Sequence, residues 1–341
     1  MTTVTALPPD SLARAKPLVE PALKEAIAGL HPSLALMSGY AFGWCAADGT
    51  PVCAPGGKAL RSAVALLVAQ AAGGAARDAI PVAVAVELVH CFSLMHDDIM
   101  DGDELRRARP TVWKAFGSGP AVLAGDAMMA LALQAAARTG VETACDELAD
   151  SLTSLTRGQA EDLAFEARPF TGPAAVSVDE YLAMARDKTG ALLGCAAAMG
   201  AAVAGAGGAT VAAYRRFGNE LGLAFQAVDD ILGIWGDPRS TGKPVGGDLA
   251  RGKKTLPVLE ALTSGSAAST RLARLVQRPL TGGDLRRAAT LVERAGGRRQ
   301  TRHHARTHHQ RALHALKSAT PRPGPGDDLA ELAAYLLHRT A

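Results

Sequence analysis

The sequence predicts an all-α fold on three observations. Alanine, leucine and arginine, all good helix formers, dominate the chain, while runs of β-branched residues bounded by turns are scarce. Apolar residues fill 48% of the 341 positions although aromatics fill only 4%, so a substantial core is available and alanine is everywhere in it. Glycine- and proline-bearing turns (Gly73-Gly74, Gly117-Ser118-Gly119, Thr171-Gly172-Pro173, Gly207-Gly208) punctuate long helical stretches.

In chain order, residues 1–30 read as a leader helix interrupted by Pro17 and Pro21. From His31 to Gly57 the composition turns to Gly, Pro, Asp and aromatics, which predicts a loop-rich connection. Helices are then expected over 58–73, 79–101, 119–139, 141–167, 178–204, 209–235, 254–264, 283–296 and 298–317, with Pro81 suited to the first turn of the second. Pro321-Arg322-Pro323-Gly324-Pro325-Gly326 leads into a short closing helix, so 321–341 form a C-terminal tail. No low-complexity linker divides the chain before it, and 1–341 reads as a single domain.

Thirty-six basic residues against 33 acidic ones give a net charge of +3, too balanced for a nucleic-acid binder. Cys45, Cys53, Cys91, Cys145 and Cys195 are odd in number and scattered, and no pair has CxxC spacing. They read as reduced thiols of a cytoplasmic protein. Met1 to Asp10 lacks a basic region followed by an apolar stretch, so no secretory signal is expected. Thr189 to Tyr214 carries no charge over 26 positions, but alanine dominates it and Gly205-Ala206-Gly207-Gly208 breaks it. A buried helix followed by a glycine-rich turn is expected there, not a transmembrane segment.

The chemistry is concentrated in two acidic clusters about 130 residues apart, His96-Asp97-Asp98-Ile99-Met100-Asp101 and Gln226-Ala227-Val228-Asp229-Asp230. Apolar residues flank both, which puts the carboxylates at the edge of a core. Asp97 and Asp101, four apart, leave a helix on the same side. Two such faces turned towards each other need strong positive charge between them. Magnesium carrying a diphosphate is the natural candidate, because hard cations take carboxylate and phosphate oxygens together. Basic partners accompany the acids. Arg106-Arg107 follows the first cluster, and glycine turns bearing Lys243, Lys253 and Lys254 follow the second. Gly56-Gly57-Lys58-Ala59-Leu60-Arg61 sits at a helix N-terminus, where free N–H groups favour anions. Taken singly, each cluster also fits a solvated helix end; Lys188 alone fits a helix-end charge and Gln226 a buried helix–helix hydrogen bond. The His96-Asp97 dipeptide alone would also fit a metal-dependent phosphohydrolase, for which no partner histidine is placed on an equivalent helix.

From Gly56 to Pro257, about two thirds of the chain, these motifs resemble the trans-isoprenyl diphosphate synthases of the polyprenyl synthetase family. They run Gly-Gly-Lys-x-x-Arg at 56–61, Asp-Asp-x-x-Asp at 97–101, Leu-Arg-Arg at 105–107, Pro110-Thr111, Gly125-Asp126, Gly158-Gln159, Lys188-Thr189, Phe225-Gln226-x-x-Asp229-Asp230 and Gly252-Lys253-x-Thr255. The resemblance implies an isoprenoid synthase-type antiparallel helical barrel around a central cavity, usually a homodimer. It implies that Asp97 and Asp101 bind two Mg2+ ions beside an allylic diphosphate and Asp229 a third. Arg106, Lys188 and Lys253 would hold that diphosphate, with Lys243 as a further neighbour. Lys58, Arg61, His90 and Arg107 would bind isopentenyl diphosphate, while Thr189 and Gln226 would direct oxygen dipoles at a carbocation.

In this family a bulky residue before the first cluster acts as the floor of the product tunnel. Here Phe92 stands five residues before Asp97, about 7.5 Å along a helix, beside small Ser93. One aromatic in place of two resembles geranylgeranyl (C20) synthases more than farnesyl (C15) ones. Gly233 departs from the family by occupying the place of a third aspartate in the second motif, and Asp237 is available nearby. That departure leaves two alternatives open, a cyclase-like homologue and a non-catalytic regulatory subunit, beside the alternative of a farnesyl or longer product that chain length leaves. The chain lacks the Asn-x-x-x-Ser-x-x-x-Glu metal motif of cyclases after the second cluster. It keeps Lys58 and Arg61, which a cyclase does not need, and both aspartate pairs, which argue against a silent subunit. His304 and His308 have metal-compatible i, i+4 spacing, but the surrounding arginines predict a solvated basic helix.

Overall fold

Short turns and long apolar stripes give a protein built almost wholly of helices. The computed structural model describes residues 9–52, 59–236 and 246–338. The elements are α1 (Asp10–Ala28), α2 (Pro32–Phe42), α3 (Leu60–Ala71), a 3-10 turn (Ala76–Ala79) leading into α4 (Ile80–Met100), and a small hairpin of β1 (Leu105–Arg106) and β2 (Arg109–Pro110). There follow α5 (Val112–Phe116), α6 (Ser118–Ala137), α7 (Ala144–Ala167) and α8 (Val178–Ala185). A π-helical turn (Arg186–Gly190) joins α8 to α9 (Ala191–Val203). The chain ends with α10 (Gly208–Trp235), α11 (Gly247–Ala250), α12 (Leu256–Thr263), α13 (Ala267–Leu275), α14 (Gly283–Arg294), α15 (Gly297–Ser318) and α16 (Pro325–His338).

The long α10 organises the packing, lying along α15 on one side and α9 on the other, while α4 packs on α6 and α3 on α9. Small residues make the α9–α10 contact close. A Cβ at Gly222 would sit 2.6 Å from the Gly190 Cα, and one at Gly218 would sit 2.6 Å from the Leu193 carbonyl carbon. The core beneath is rich in alanine, with Tyr214, Phe217, Leu88, Met128 and Leu193 fully buried. Thr189–Tyr214, the uncharged stretch, is accordingly the π turn, the buried α9, a glycine turn and the start of α10.

Four expectations are corrected. Pro17 and Pro21 do not interrupt the first helix: both lie on its exposed side, where the carbonyls they leave unbonded reach water, while Leu12, Ala15, Val19, Leu23 and Ile27 are buried. The 31–57 stretch is not all loop. Pro32 starts α2 and Gly43, in the left-handed region at φ 82°, stops it; those two helix signals were hidden by the surrounding glycines and aromatics. A serine-rich stretch conceals α13, which Ser266 caps by accepting a hydrogen bond from the Ser269 N–H. The histidine-bearing helix α15 is not simply solvated, because Thr301, Ala305, His308 and Ala312 are buried against α10 and α12. His304 Nε2 lies 2.7 Å from Glu260 Oε1, and His308 Nδ1 lies 2.6 Å from Glu220 Oε2. A carboxylate only accepts, so each of these ring nitrogens carries the proton. The i, i+4 pair ties three helices together.

Candidate active site

The C-terminal end of α4 presents its carboxylates in two directions. Asp97 and Asp101 share a side and meet two lysines delivered by other elements. Lys253, after α11, places Nζ 2.7 Å from Asp101 Oδ2. Lys188, in the π turn, places Nζ 2.7 Å from Asp162 Oδ2 on α7 and 3.7 Å from Asp97 Oδ2. Lys253 is also 4.0 Å from Asp162, so three carboxylates and two ammonium groups from four segments form one cluster. Gly158 makes this approach workable, since a Cβ there would lie 2.8 Å from the Lys188 Cα. Burial pushes the Asp97 pKa up, with Lys188 opposing. Burial also penalises Asp101, but the Lys253 hydrogen bond and charge win and hold its pKa below the usual carboxylate range.

Asp98 points elsewhere. It is 3% exposed and lies in the fork of Arg106, at 2.8 and 3.0 Å from Nε and 2.6 Å from Nη2. Arg106 was expected to hold a diphosphate; here its Nε and Nη2 are committed to Asp98. Burial raises the Asp98 pKa against the pull of Arg106. The β1–β2 hairpin that carries Arg106 turns through Arg107 and Ala108, both non-glycine residues at positive φ (52° and 61°). Such residues cost about 1–3 kcal/mol each and persist where neighbours over-determine them. The neighbours here are Tyr40, whose hydroxyl donates to the Pro110 carbonyl at 2.7 Å, and Trp113 and Thr111, which both donate to the Asp103 carbonyl.

The second acidic pair sits on α10. Thr189 Oγ1 donates to Gln226 Oε1 at 2.8 Å, and Gln226 Nε2 donates to Asp230 Oδ1 at 2.9 Å. Asp230 also accepts from Tyr181 Oη at 2.5 Å and from the Leu256 N–H at 2.9 Å, at the start of α12. Burial is the largest influence on Asp230 and pushes its pKa up to about 7. Thr189 and Gln226 are thus brought together, with both ends of the Gln226 amide engaged. Asp229 lies near enough to Arg61 to favour its charge, as does Glu87, while burial acts more strongly to lower the Arg61 pKa. His90 is lowered well below the ordinary imidazole value by burial and by the charges of Arg61, Arg107 and Arg106, so it is neutral at pH 7. Ser62 holds Glu87 from its N–H and hydroxyl at 3.1 and 3.0 Å.

Phe92 is buried on α4 and meets His96 edge-on, with ring centroids 5.7 Å apart. His96 in turn lies over Gly125 of α6, where a Cβ would come within 2.7 Å of the ring. Ser93 folds its hydroxyl back onto the His90 carbonyl at 2.9 Å, adding no bulk. Lys58, Lys243 and Asp237 lie outside the described residues. The sequence reading missed Asp162, Tyr181, Asp248 and Arg251. Asp162 follows Gly158 by four residues on the same helix side, the one signal that could have found it.

The residues fit a divalent metal that shares its shell with a ligand. The donors are hard carboxylate oxygens, and Asp101 Oδ1 is buried with no hydrogen-bond partner. Among the described residues no three acidic, histidine or cysteine side chains converge closely enough to cage an ion unaided. A cation here would therefore need oxygens from a ligand to complete its shell. Arg61 Nε and Gln159 Nε2 are likewise buried without partners, suited to polar groups of a ligand.

A model described as "Polyprenyl synthetase" matches residues 44–292. The chain is 47% identical over 336 residues to a geranylgeranyl diphosphate synthase of Mycobacterium tuberculosis, covering 96% of this chain and 93% of that protein. It is 41% identical over 338 residues to a (2E,6E)-farnesyl diphosphate synthase of the same organism, covering 97% and 93%. A crystal structure of a polyprenyl synthetase from Streptomyces coelicolor A3(2) superposes with a TM-score of 0.90 at 42% identity, covering 96% of this chain and 98% of that one. A polyprenyl synthase from Caulobacter crescentus CB15, solved in complex with calcium and isoprenyl diphosphate, superposes with a TM-score of 0.84 at 28% identity, covering 97% and 98%.

Proposed function

The chain belongs to the polyprenyl synthetase family and is a prenyl diphosphate synthase, and on that premise we propose that it condenses isopentenyl diphosphate with an allylic diphosphate to give geranylgeranyl diphosphate. The observation that carries this reading is the convergence of Lys188 and Lys253 on Asp97, Asp101 and Asp162. Acids and cations from four segments are held within reach of one small ligand, as an anion with its metals requires. Magnesium bound between these carboxylates and the diphosphate would draw charge off the departing oxygen; Asp97, Asp101 and Asp229 are its assigned protein ligands, with three ions expected. Lys188 and Lys253 would donate to diphosphate oxygens, as would Lys243, and the fixed positive charge of Arg106 would add to the field. On the other side Arg61, Arg107 and neutral His90, together with Lys58, would bind isopentenyl diphosphate. Holding both substrates together removes the entropic cost of their meeting. The oxygen atoms of Thr189 and Gln226 would face the allylic cation, and the proton leaves with the released diphosphate as its acceptor.

The relation to a geranylgeranyl synthase and the single aromatic at Phe92 support a C20 product; the farnesyl relative supports C15 as the second reading. Incubating the enzyme with Mg2+, isopentenyl diphosphate and dimethylallyl, geranyl or farnesyl diphosphate, then measuring chain length, decides between them. A C20 product that lengthens in Phe92→Ala supports the floor assignment, whereas an unchanged length rejects it. Conversion of a prenyl diphosphate alone into hydrocarbon would replace the synthase reading with a cyclase, and no turnover with a regulatory subunit.

The same reading makes the enzyme a cytoplasmic homodimer. Its support is the free state of Cys45, Cys91, Cys145 and Cys195 and the outer side of α6, where Val122, Leu123, Met129 and Leu133 are exposed, Leu123 at 57%. A second copy covering this apolar stripe would remove it from water. Light scattering should give a dimer mass that falls to a monomer in Leu123→Glu/Met129→Glu; an unchanged mass would remove α6 from the interface.

A further inference from the structure

Charge is shared very unequally along the chain. Helices α13 to α15, residues 267–318, hold 12 of the 36 basic residues and only 2 of the 33 acidic ones, a net +10. The remainder, with 24 basic and 31 acidic residues, carries −7, so the near-neutral total conceals a strongly basic segment in an acidic body. The two acids are already paired within the segment, Asp284 with Arg278 at 2.6 Å and Glu293 with Arg298 at 3.3 Å. Of the other ten cations nine are exposed, Arg302 is half-buried, and none pairs with a carboxylate among the described residues. Arg299, Arg302 and Arg306, three and four apart, run along the side of α15 away from its buried stripe of Thr301, Ala305, His308 and Ala312. On α14, Arg287 and Arg294 lie seven apart and likewise share a side. As α13 packs on α14 and α14 on α15, these arginines belong to one outer layer. The layer repels itself. Burial lowers the Arg302 pKa, and the charges of Arg298 and Arg306 lower it further against the pull of Glu293. An anionic surface outside the molecule would relieve that repulsion.

We propose that α13 to α15 form a docking face for an anionic phospholipid bilayer, held by charge alone. Guanidinium groups take phosphate oxygens two at a time, and a bilayer offers a plane of them. Among the described residues no large apolar side chain of these helices is exposed; those that are all lie at or before Leu133. Nothing therefore anchors the face by insertion, and its hold is reversible. Nucleic acid fits less well, since 267–318 contains no Phe, Trp or Tyr on which bases could stack. A bilayer also suits the proposed product, a diphosphate on a long hydrocarbon tail. That choice of partner rests on the synthase reading, whereas the basic face itself does not. A cavity of about 350 Å3 lies between the α13–α14 turn at 276–280 and the loop that carries Lys253 and Lys254, so the face adjoins the candidate site.

The test is flotation of the full chain, without substrates, on vesicles of phosphatidylcholine alone and on vesicles with about one third phosphatidylglycerol. Binding to the anionic vesicles should exceed binding to the neutral ones by about tenfold or more at about 0.1 M salt, and should disappear at about 0.5 M. Arg299→Gln/Arg302→Gln/Arg306→Gln should weaken that binding by about tenfold or more while keeping the wild-type melting temperature and turnover of soluble substrates. Lys16→Gln/Lys24→Gln/Arg77→Gln removes the same charge from α1 and the 3-10 turn, and should bind as the wild type does. Equal binding to both kinds of vesicle, binding that survives high salt, or equal weakening by the two triple variants would overturn the inference. So would tighter binding of polyuridylate than of anionic vesicles at equal phosphate concentration. Absence of prenyl diphosphate turnover with vesicle binding intact would remove the synthase reading alone.

Discussion

Asp98 and Asp230 are the second members of their pairs and are buried to the same degree, 3% and 2% exposed, yet their surroundings are opposite in kind. Asp98 is met by a cation, the fork of Arg106. Asp230 is met by three neutral donors, from Tyr181, Gln226 and the Leu256 backbone. Neither faces the lysine cluster; each holds a distant segment in place, the β hairpin in one case and the start of α12 in the other. A repeated sequence pattern thus hides a division of labour. The second aspartate of each pair is structural, and the first is the one that the proposed function assigns to the ligand. Burial raises the pKa of both, but Arg106 opposes it at Asp98, whereas the neutral donors leave burial to carry Asp230 up to about 7.

The sharpest way to break this comparison is to remove the first member of a pair. Asp97→Asn should lower turnover by about a thousandfold with little change in the urea midpoint; a large stability loss would mean that the roles within the pair are not divided. Asp98→Asn should do the reverse. Leaving the Arg106 guanidinium without its counter-charge should cost about 2–3 kcal/mol in denaturant unfolding, discounted for the part of Arg106 that reaches water. Asp230→Asn should cost less, about 1 kcal/mol at pH 5, because a neutral side chain already suits its donors.

The pH dependence sharpens the difference. The Asp230 pKa is raised in the folded state to about 7 from an ordinary 3.8, so the folded chain keeps a proton that the unfolded chain gives up. The stability contributed by Asp230 is complete below pH 4, is lost as pH rises towards 7, and levels off above it. Urea unfolding across pH 4–8 should show this loss in the wild type and a flatter profile in Asp230→Asn. The smallest effect is expected in Tyr181→Phe, about 1 kcal/mol, with the Asp230 transition moved to higher pH because one donor to its charged form is gone.

What could be read from the sequence follows the range of the interactions. The α4 acids, Lys188, Lys253, Thr189 and Gln226 were found because each lies in a short local pattern, and the structure joins Asp97, Asp101, Lys188 and Lys253 by direct contacts. The serine cap of α8, Ser177 with Glu180 three residues on, is a local pattern of the same kind that went unread. Asp162 was hidden in a helix whose other charges, apart from Glu147 paired with Arg215, face water. Tyr181, Arg251 and Asp248 carried no local signal, because what defines them is Asp230, Asp103 and Gly233 in turn, partners 49, 148 and 15 positions away. The prolines of α1 misled through a rule about helix interiors that exposure relaxes.

The π turn at Arg186–Gly190 sets the phase of everything after it. The π turn holds one residue more than an α turn would, and one residue advances an α-helix by about 100°, so winding the same residues as regular α-helix would swing all of α9 around its axis. Thr189 would leave Gln226, and the glycine side that lets α9 lie flush on α10 would be replaced by side chains with no room to enter. The extra residue is a spacer that keeps two different faces of one rod in register with two different neighbours.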